Sequence, residues 1–202
     1  MRLLTLGLAF ILALSACSQK NANEQAVQSV ASVFQGSDIS RDNIGGNFTL
    51  TADNHKPFDM ASLHGKVVIL TFGFTHCPDV CPTELAGYAD VMKQLGEQSK
   101  NVAVVFVSVD PERDTPELVG KYARLFDERF IGLSAANGQD VAAVQKLYRV
   151  TARKIKGKTA DDYTVEHTAG TYLLDKNGRA VVFEPFGKTA TEIADDVKTL
   201  LK

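Results

Sequence analysis

Val67-Val68-Ile69-Leu70-Thr71-Phe72-Gly73-Phe74-Thr75-His76-Cys77-Pro78-Asp79-Val80-Cys81-Pro82 passes from an almost unbroken apolar run into two cysteines and a proline. Val67 to Phe72 lacks the alternation of a strand with one wet face, which predicts a strand buried on both faces. The two thiols follow just past its carboxyl end, where ligand and active sites of open α/β sheets collect. Leu85, Tyr88, Ala89, Met92 and Leu95 then recur at helical spacing and predict a helix over Pro82 to Leu95. Inside a helix Pro82 would clash with the carbonyl of residue 78. Cys77 is therefore expected on a turn and Cys81 at or near the helix N-terminus, where exposed amides favour thiolate over thiol.

Outward from this stretch the pattern continues as alternating strand and helix. Val102 to Val109 is a second buried strand, and Thr115-Pro116-Glu117 opens a helix with a cap and a proline in the first turn. A further helix is predicted over Asp140 to Tyr148. Thr171 to Leu174 and Ala180 to Phe183 are strands joined by the turn Asp175-Lys176-Asn177-Gly178, and Glu192 to Leu201 is a closing amphipathic helix. Upstream, Asn47 to Thr51 and Pro57-Phe58 flank a turn at Asp53-Asn54, an N-terminal β-hairpin. The order matches an α/β domain of thioredoxin-like fold, extended by that hairpin and covering residues 44–202.

The N-terminus is of a different kind. Met1-Arg2 precedes the apolar run Leu3 to Leu14, which falls short of the ~20 residues that span a bilayer. Residues 1–16 read as a secretory signal ending Leu14-Ser15-Ala16-Cys17, which resembles the lipobox of bacterial lipoproteins. Lipid on Cys17 would anchor the chain without a transmembrane helix, and the polar residues 17–43 would act as a tether. The expected location is extracytoplasmic and periplasm-facing, as a membrane-anchored monomer. With a formal charge of -2 and no basic stripe, nucleic-acid binding is not expected.

Export changes how the remaining thiols are read, because a close pair outside the cytoplasm can persist as a disulfide. Cys77 and Cys81 close so small a loop that a bridge between them staples almost nothing, which favours a reactive or metal-binding pair. They can form a disulfide or hold one soft metal ion. A third ligand must come from elsewhere. His55 and His64 lie in or near the N-terminal hairpin and read as surface residues, and His76 adjoins Cys77 too closely to share its metal. His167, in Tyr163-Thr164-Val165-Glu166-His167-Thr168-Ala169-Gly170, precedes a strand in the loop that usually brings a proline to the cysteines in thioredoxin-like domains. It is the candidate third ligand. Soft sulfur with imidazole suits copper, and no fourth protein ligand for structural zinc is evident.

The runs FGFTHCPDVCP, SVDPERDTP and DYTVEHTAGTYLLD are similar to three segments of the Sco/SenC family, thioredoxin-fold copper proteins implicated in assembling the dinuclear copper centre of cytochrome c oxidase. The resemblance implies copper ligation by Cys77, Cys81 and His167, with paired thiolates for Cu(I) and the histidine permitting Cu(II). It implies as partner a copper-bearing oxidase subunit or another copper or thiol protein. A redox-active Cys77–Cys81 pair that keeps a partner's cysteines reduced is the alternative activity. Phe74 and Thr168 depart from tyrosine and serine at those positions and remove no ligand. Of the remaining polar residues, Asp114 is expected to cap the helix after it. Asp110 is divided between influencing the site and a structural role, and Arg153 to Lys158 reads as a basic loop leading toward His167.

Overall fold

The computed structural model describes residues 33–135, 138–158 and 162–202. The expected signal segment, Cys17 and the expected tether as far as residue 32 lie outside the described residues. In chain order the strands and helices are β1 (Ser37–Asp38), β2 (Thr49–Ala52), β3 (Pro57–Asp59), β4 (Val67–Gly73), α1 (Val80–Leu95), β5 (Val102–Ser108) and α2 (Pro116–Arg124). They continue as β6 (Ile131–Ser134), α3 (Gly138–Leu147), β7 (Ala152–Lys156), β8 (Tyr163–His167), β9 (Gly170–Leu174), β10 (Ala180–Pro185) and α4 (Ala190–Leu201).

Eight strands form one sheet in the order β1-β10-β9-β4-β5-β6-β2-β3. β4, β5 and β6 run parallel, with helical crossovers between them, while β9 pairs antiparallel with β4 and with β10. Every residue of β4 and β5 is buried, as their apolar runs require. Side-chain alternation divides the core into two layers. Ile69, Val104, Phe106 and Leu173 face α1, α2 and α4, whereas Val68, Leu70, Phe72, Val105 and Tyr172 face the N-terminal hairpin and α3. This is the thioredoxin-like α/β fold expected, with the β2–β3 hairpin added to the edge at β6.

Local signals explain the helix ends. The Thr115 side chain accepts from the Leu118 amide ahead of α2, and Thr189 with Glu192 forms a reciprocal capping box on α4. The turn at Asp175 closes on its own carboxylate, which accepts from the Asn177 and Arg179 amides.

Several elements depart from the sequence expectation. β6 is a short strand with no periodicity long enough to read, packed so closely on α2 that a Cβ at Gly132 would stand 2.3 Å from the Val119 carbonyl oxygen. The basic run is not a loop: it forms β7, paired antiparallel with β8 in a separate two-stranded ribbon. Its residues after Ala152 are exposed, so it carries no apolar pattern; backbone pairing and the Arg153–Glu166 ion pair hold it instead. At the N-terminal end, the fold takes in residues whose polar composition suggested tether. Ser37–Asp38 pairs with β10, and the Gln35 and Gly36 amides donate to the buried Asp196 carboxylate at 2.8 and 2.9 Å.

Candidate metal centre

The segment after β4 is held from below by one buried carboxylate. Asp114 accepts from the Thr75 amide at 2.9 Å, the Thr75 hydroxyl at 2.5 Å and the Ser108 hydroxyl at 2.7 Å. Asp114 therefore does not cap α2, contrary to expectation; Thr115 does, and Asp114 fastens the cysteine loop to the end of β5. Above this anchor the chain turns, with the Cys77 amide donating to the Phe74 carbonyl at 3.2 Å.

Cys77 lies on that turn and is half-buried, while Cys81 sits in the first turn of α1 at 1 % exposure; both are free thiols. The Cys81 amide points at the Cys77 sulfur, 3.4 Å away, so Cys77 takes the capping place that the Asp79 side chain leaves unused. This corrects the expectation for Cys81. Burial pushes the Cys81 thiol far above its ordinary range, against the thiolate expected there. Gly73 makes the burial possible: a Cβ there would come within 2.6 Å of Cys81 Sγ and 2.7 Å of the Phe106 ring.

His167 ends β8 and presents Nε2 to Cys81 Sγ at 3.9 Å. Its Nδ1 lies 2.9 Å from the Thr168 carbonyl, which can only accept, so Nδ1 carries the proton and the Nε2 lone pair faces the sulfur. Burial lowers the imidazole pKa and keeps the ring neutral, the form that ligates metal. Phe74 meets the ring edge to face, centroids 6.0 Å apart.

The other histidines fall elsewhere. His76 is half-exposed and engages Thr75 Oγ1 at 3.1 Å and Asp114 Oδ1 at 3.7 Å. His64 lies at the opposite end of β4, beside Gly178. His55 is exposed, as expected, but has a partner in Glu117.

Several neighbours of the site escaped sequence reading. Glu84, one helical turn after Cys81, has its carboxyl pushed up to about 7 by burial and receives the Thr71 hydroxyl at 3.4 Å. Its i,i+3 spacing from Cys81 was the available signal. Tyr122 stacks on Phe106 with its hydroxyl buried and unpartnered. Asp110, which the sequence left divided between two roles, is fully buried and held by Arg113 and Tyr163. Cys77, Cys81 and His167 thus come from a turn, a helix start and a strand end, with Cys81 next to each of the other two. Among the described residues no three His, Cys, Asp or Glu side chains already stand in a metal-holding cluster. The donors are neighbours, not yet closed on one point.

The SCO1/SenC family profile matches residues 36–202. A SCO2-like protein from Rickettsia felis is 34% identical over 156 residues, which are 77% of this chain and 76% of that protein. Among solved structures, Bradyrhizobium japonicum ScoI with copper bound is 44% identical with a TM-score of 0.71, covering 78% of this chain and 99% of that one. A SCO1/SenC family lipoprotein from Bacillus anthracis is 29% identical with a TM-score of 0.65, covering 79% and 95%.

Proposed function

The chain belongs to the SCO1/SenC family, and from that premise we propose that it binds copper through Cys77, Cys81 and His167 and delivers it during assembly of the dinuclear copper centre of cytochrome c oxidase. The observation that carries this reading is the approach of Cys81 Sγ to the unprotonated Nε2 of His167, 3.9 Å away. A soft thiolate pair suits Cu(I), and an added imidazole extends the site to Cu(II). Copper is cargo here. Cys77, the more exposed sulfur, is the first to meet an incoming ion and the first to release it, while Cys81 and His167 hold it from within. Each thiol gives up a proton to solvent as it ligates.

The partner is the copper-bearing oxidase subunit, met by a monomer held at the membrane through lipid on Cys17, on the extracytoplasmic, periplasmic face. Among the described residues no helix is long and apolar enough to cross a membrane. The lipid anchor rests on the sequence around Cys17 and is tested by labelled palmitate entering the wild type and failing to enter Cys17→Ala.

A second reading, a thiol–disulfide reductase for the partner's cysteines, is favoured by the half-buried Cys77 sulfur lying 3.4 Å from the amide of a second free thiol residue, Cys81. The two readings differ in their need for His167. In a deletion strain, His167→Ala is expected to leave oxidase activity unrestored while retaining dithiol exchange in vitro. Full restoration by His167→Ala would turn the assignment to the reductase.

A further inference from the structure

β8 carries His167, yet it belongs to a two-stranded ribbon that among the described residues has no ladder to the main sheet. Such a ribbon is marginal on its own in water, so the place of its last residue must be fixed by other contacts. At its first residue a compact cluster supplies them. The Arg113 side chain is only 21% exposed; its Nε donates to Asp110 Oδ2 at 2.6 Å and its Nη1 to the Tyr163 carbonyl at 2.9 Å. The Tyr163 hydroxyl closes the ring by donating to Asp110 Oδ1 at 2.8 Å. The guanidinium carbon also lies 3.6 Å from the centroid of the Tyr163 ring and 5.9 Å from that of Phe74. Phe74 in turn bears on His167, so the cluster reaches the imidazole both along β8 and through this ring.

Arg113 Nη2 is buried without a hydrogen-bond partner, a cost that a purely structural surface arginine would avoid by turning to water. We propose that Arg113 is a positioning residue for His167: with Asp110 and Tyr163 it clasps the loop after β5 to the start of β8 and so holds Nε2 toward Cys81 Sγ. The inference rests on the reading of His167 as a copper ligand. Cys77 and Cys81 lie on the turn and helix that Asp114 anchors, outside the clasp. Opening the clasp therefore withdraws the imidazole and leaves the sulfur pair in place, so it weakens the histidine-dependent Cu(II) state and spares Cu(I).

The full chain in detergent is titrated with Cu(II) and, separately, with Cu(I) against a chelator, as wild type, Arg113→Gln, Arg113→Lys, Tyr163→Phe and His167→Ala. Arg113→Gln is expected to lower Cu(II) affinity by about tenfold or more, the scale of lost outer-sphere support, and to weaken the nitrogen coupling in the electron paramagnetic resonance spectrum. Cu(I) affinity stays near wild type. Arg113→Lys does not rescue, because an ammonium cannot fork between Asp110 and the Tyr163 carbonyl, and Tyr163→Phe gives a smaller loss in the same direction. A wild-type Cu(II) spectrum and affinity in Arg113→Gln overturns the proposal, as does parallel weakening of both ions with a lowered melting temperature. If His167→Ala keeps the Cu(II) signature, the ligand reading itself fails; if it loses the signature while Arg113→Gln keeps it, only the clasp does.

Discussion

Cys81 Sγ and His167 Nε2 lie 3.9 Å apart although 86 positions separate them in the chain. The sheet brings them together: β4 delivers the cysteine helix and β9, its antiparallel neighbour, begins three residues after the histidine. A thiol kept protonated by burial beside a neutral imidazole is a site waiting for a cation that can displace the proton.

That displacement has a measurable consequence. Because burial holds Cys81 as a thiol well above neutral pH, its ligation must release a proton. The apparent Cu(I) association constant is expected to rise by at least about tenfold per pH unit between pH 6 and 8, one proton's worth. Competition titrations across that range check it; a flat profile would remove Cys81 from the ligand set.

Gly73 is a second handle. A methyl group there meets Cys81 Sγ at 2.6 Å and Phe106 at 2.7 Å. Gly73→Ala is expected to cost roughly 1–3 kcal/mol of stability through overpacking and to weaken copper binding by pushing Cys81 outward. Urea melts and copper titrations on the same protein measure the two effects. Unchanged copper affinity would show that the buried position of Cys81 is irrelevant to binding.

Asp114 supports the cysteine loop through hydrogen bonds to its backbone and to hydroxyl groups. Asp114→Ala leaves the Ser108 hydroxyl and the Thr75 amide and hydroxyl without their acceptor, so a loss of roughly 2–4 kcal/mol is expected. Denaturant unfolding tests the figure, and a change under about 0.5 kcal/mol, the level of an ordinary surface substitution, would contradict it.

A pH effect on folding is expected from β10, the strand beyond β9. Glu184 is buried, and burial together with its hydrogen bond to the Asp196 carboxyl pushes its pKa up to about 8. An acid whose pKa rises on folding binds its proton more tightly in the native state. Stability therefore falls as pH climbs from the unfolded pKa toward 8, with a limiting slope of about 1.4 kcal/mol for each pH step of one. Glu184→Gln is expected to flatten that decline and to be the more stable protein at pH 8. Unfolding free energies at pH 5 and 8 decide it: an equally steep decline in the variant would assign the effect to another group.

Much of this architecture is legible in the order of the residues. β4 and β5 are readable because a strand buried on both faces must be apolar throughout, and α4 because its capping box and apolar stripe coincide. β7 is not, since a strand exposed on both faces looks like a charged loop; only its pairing with β8 makes it a strand. The cysteine pair and His167 stand out through spacing and position. Asp114, Arg113 and Gly73 do not, because their roles are contacts across the fold: a carboxylate beneath a loop, a guanidinium between two segments, and an absent side chain. Sequence marks the candidate donor atoms; the residues that aim them appear only in three dimensions.

The central claim is that one copper ion is shared by Cys77, Cys81 and His167. X-ray absorption on the copper-loaded full chain, with His167→Ala beside it, tests this most directly. Two sulfur scatterers and one imidazole nitrogen are expected in the wild type, with the nitrogen lost and both sulfurs kept in the variant. An imidazole contribution that survives in His167→Ala, or a shell with fewer than two sulfurs in the wild type, would contradict it.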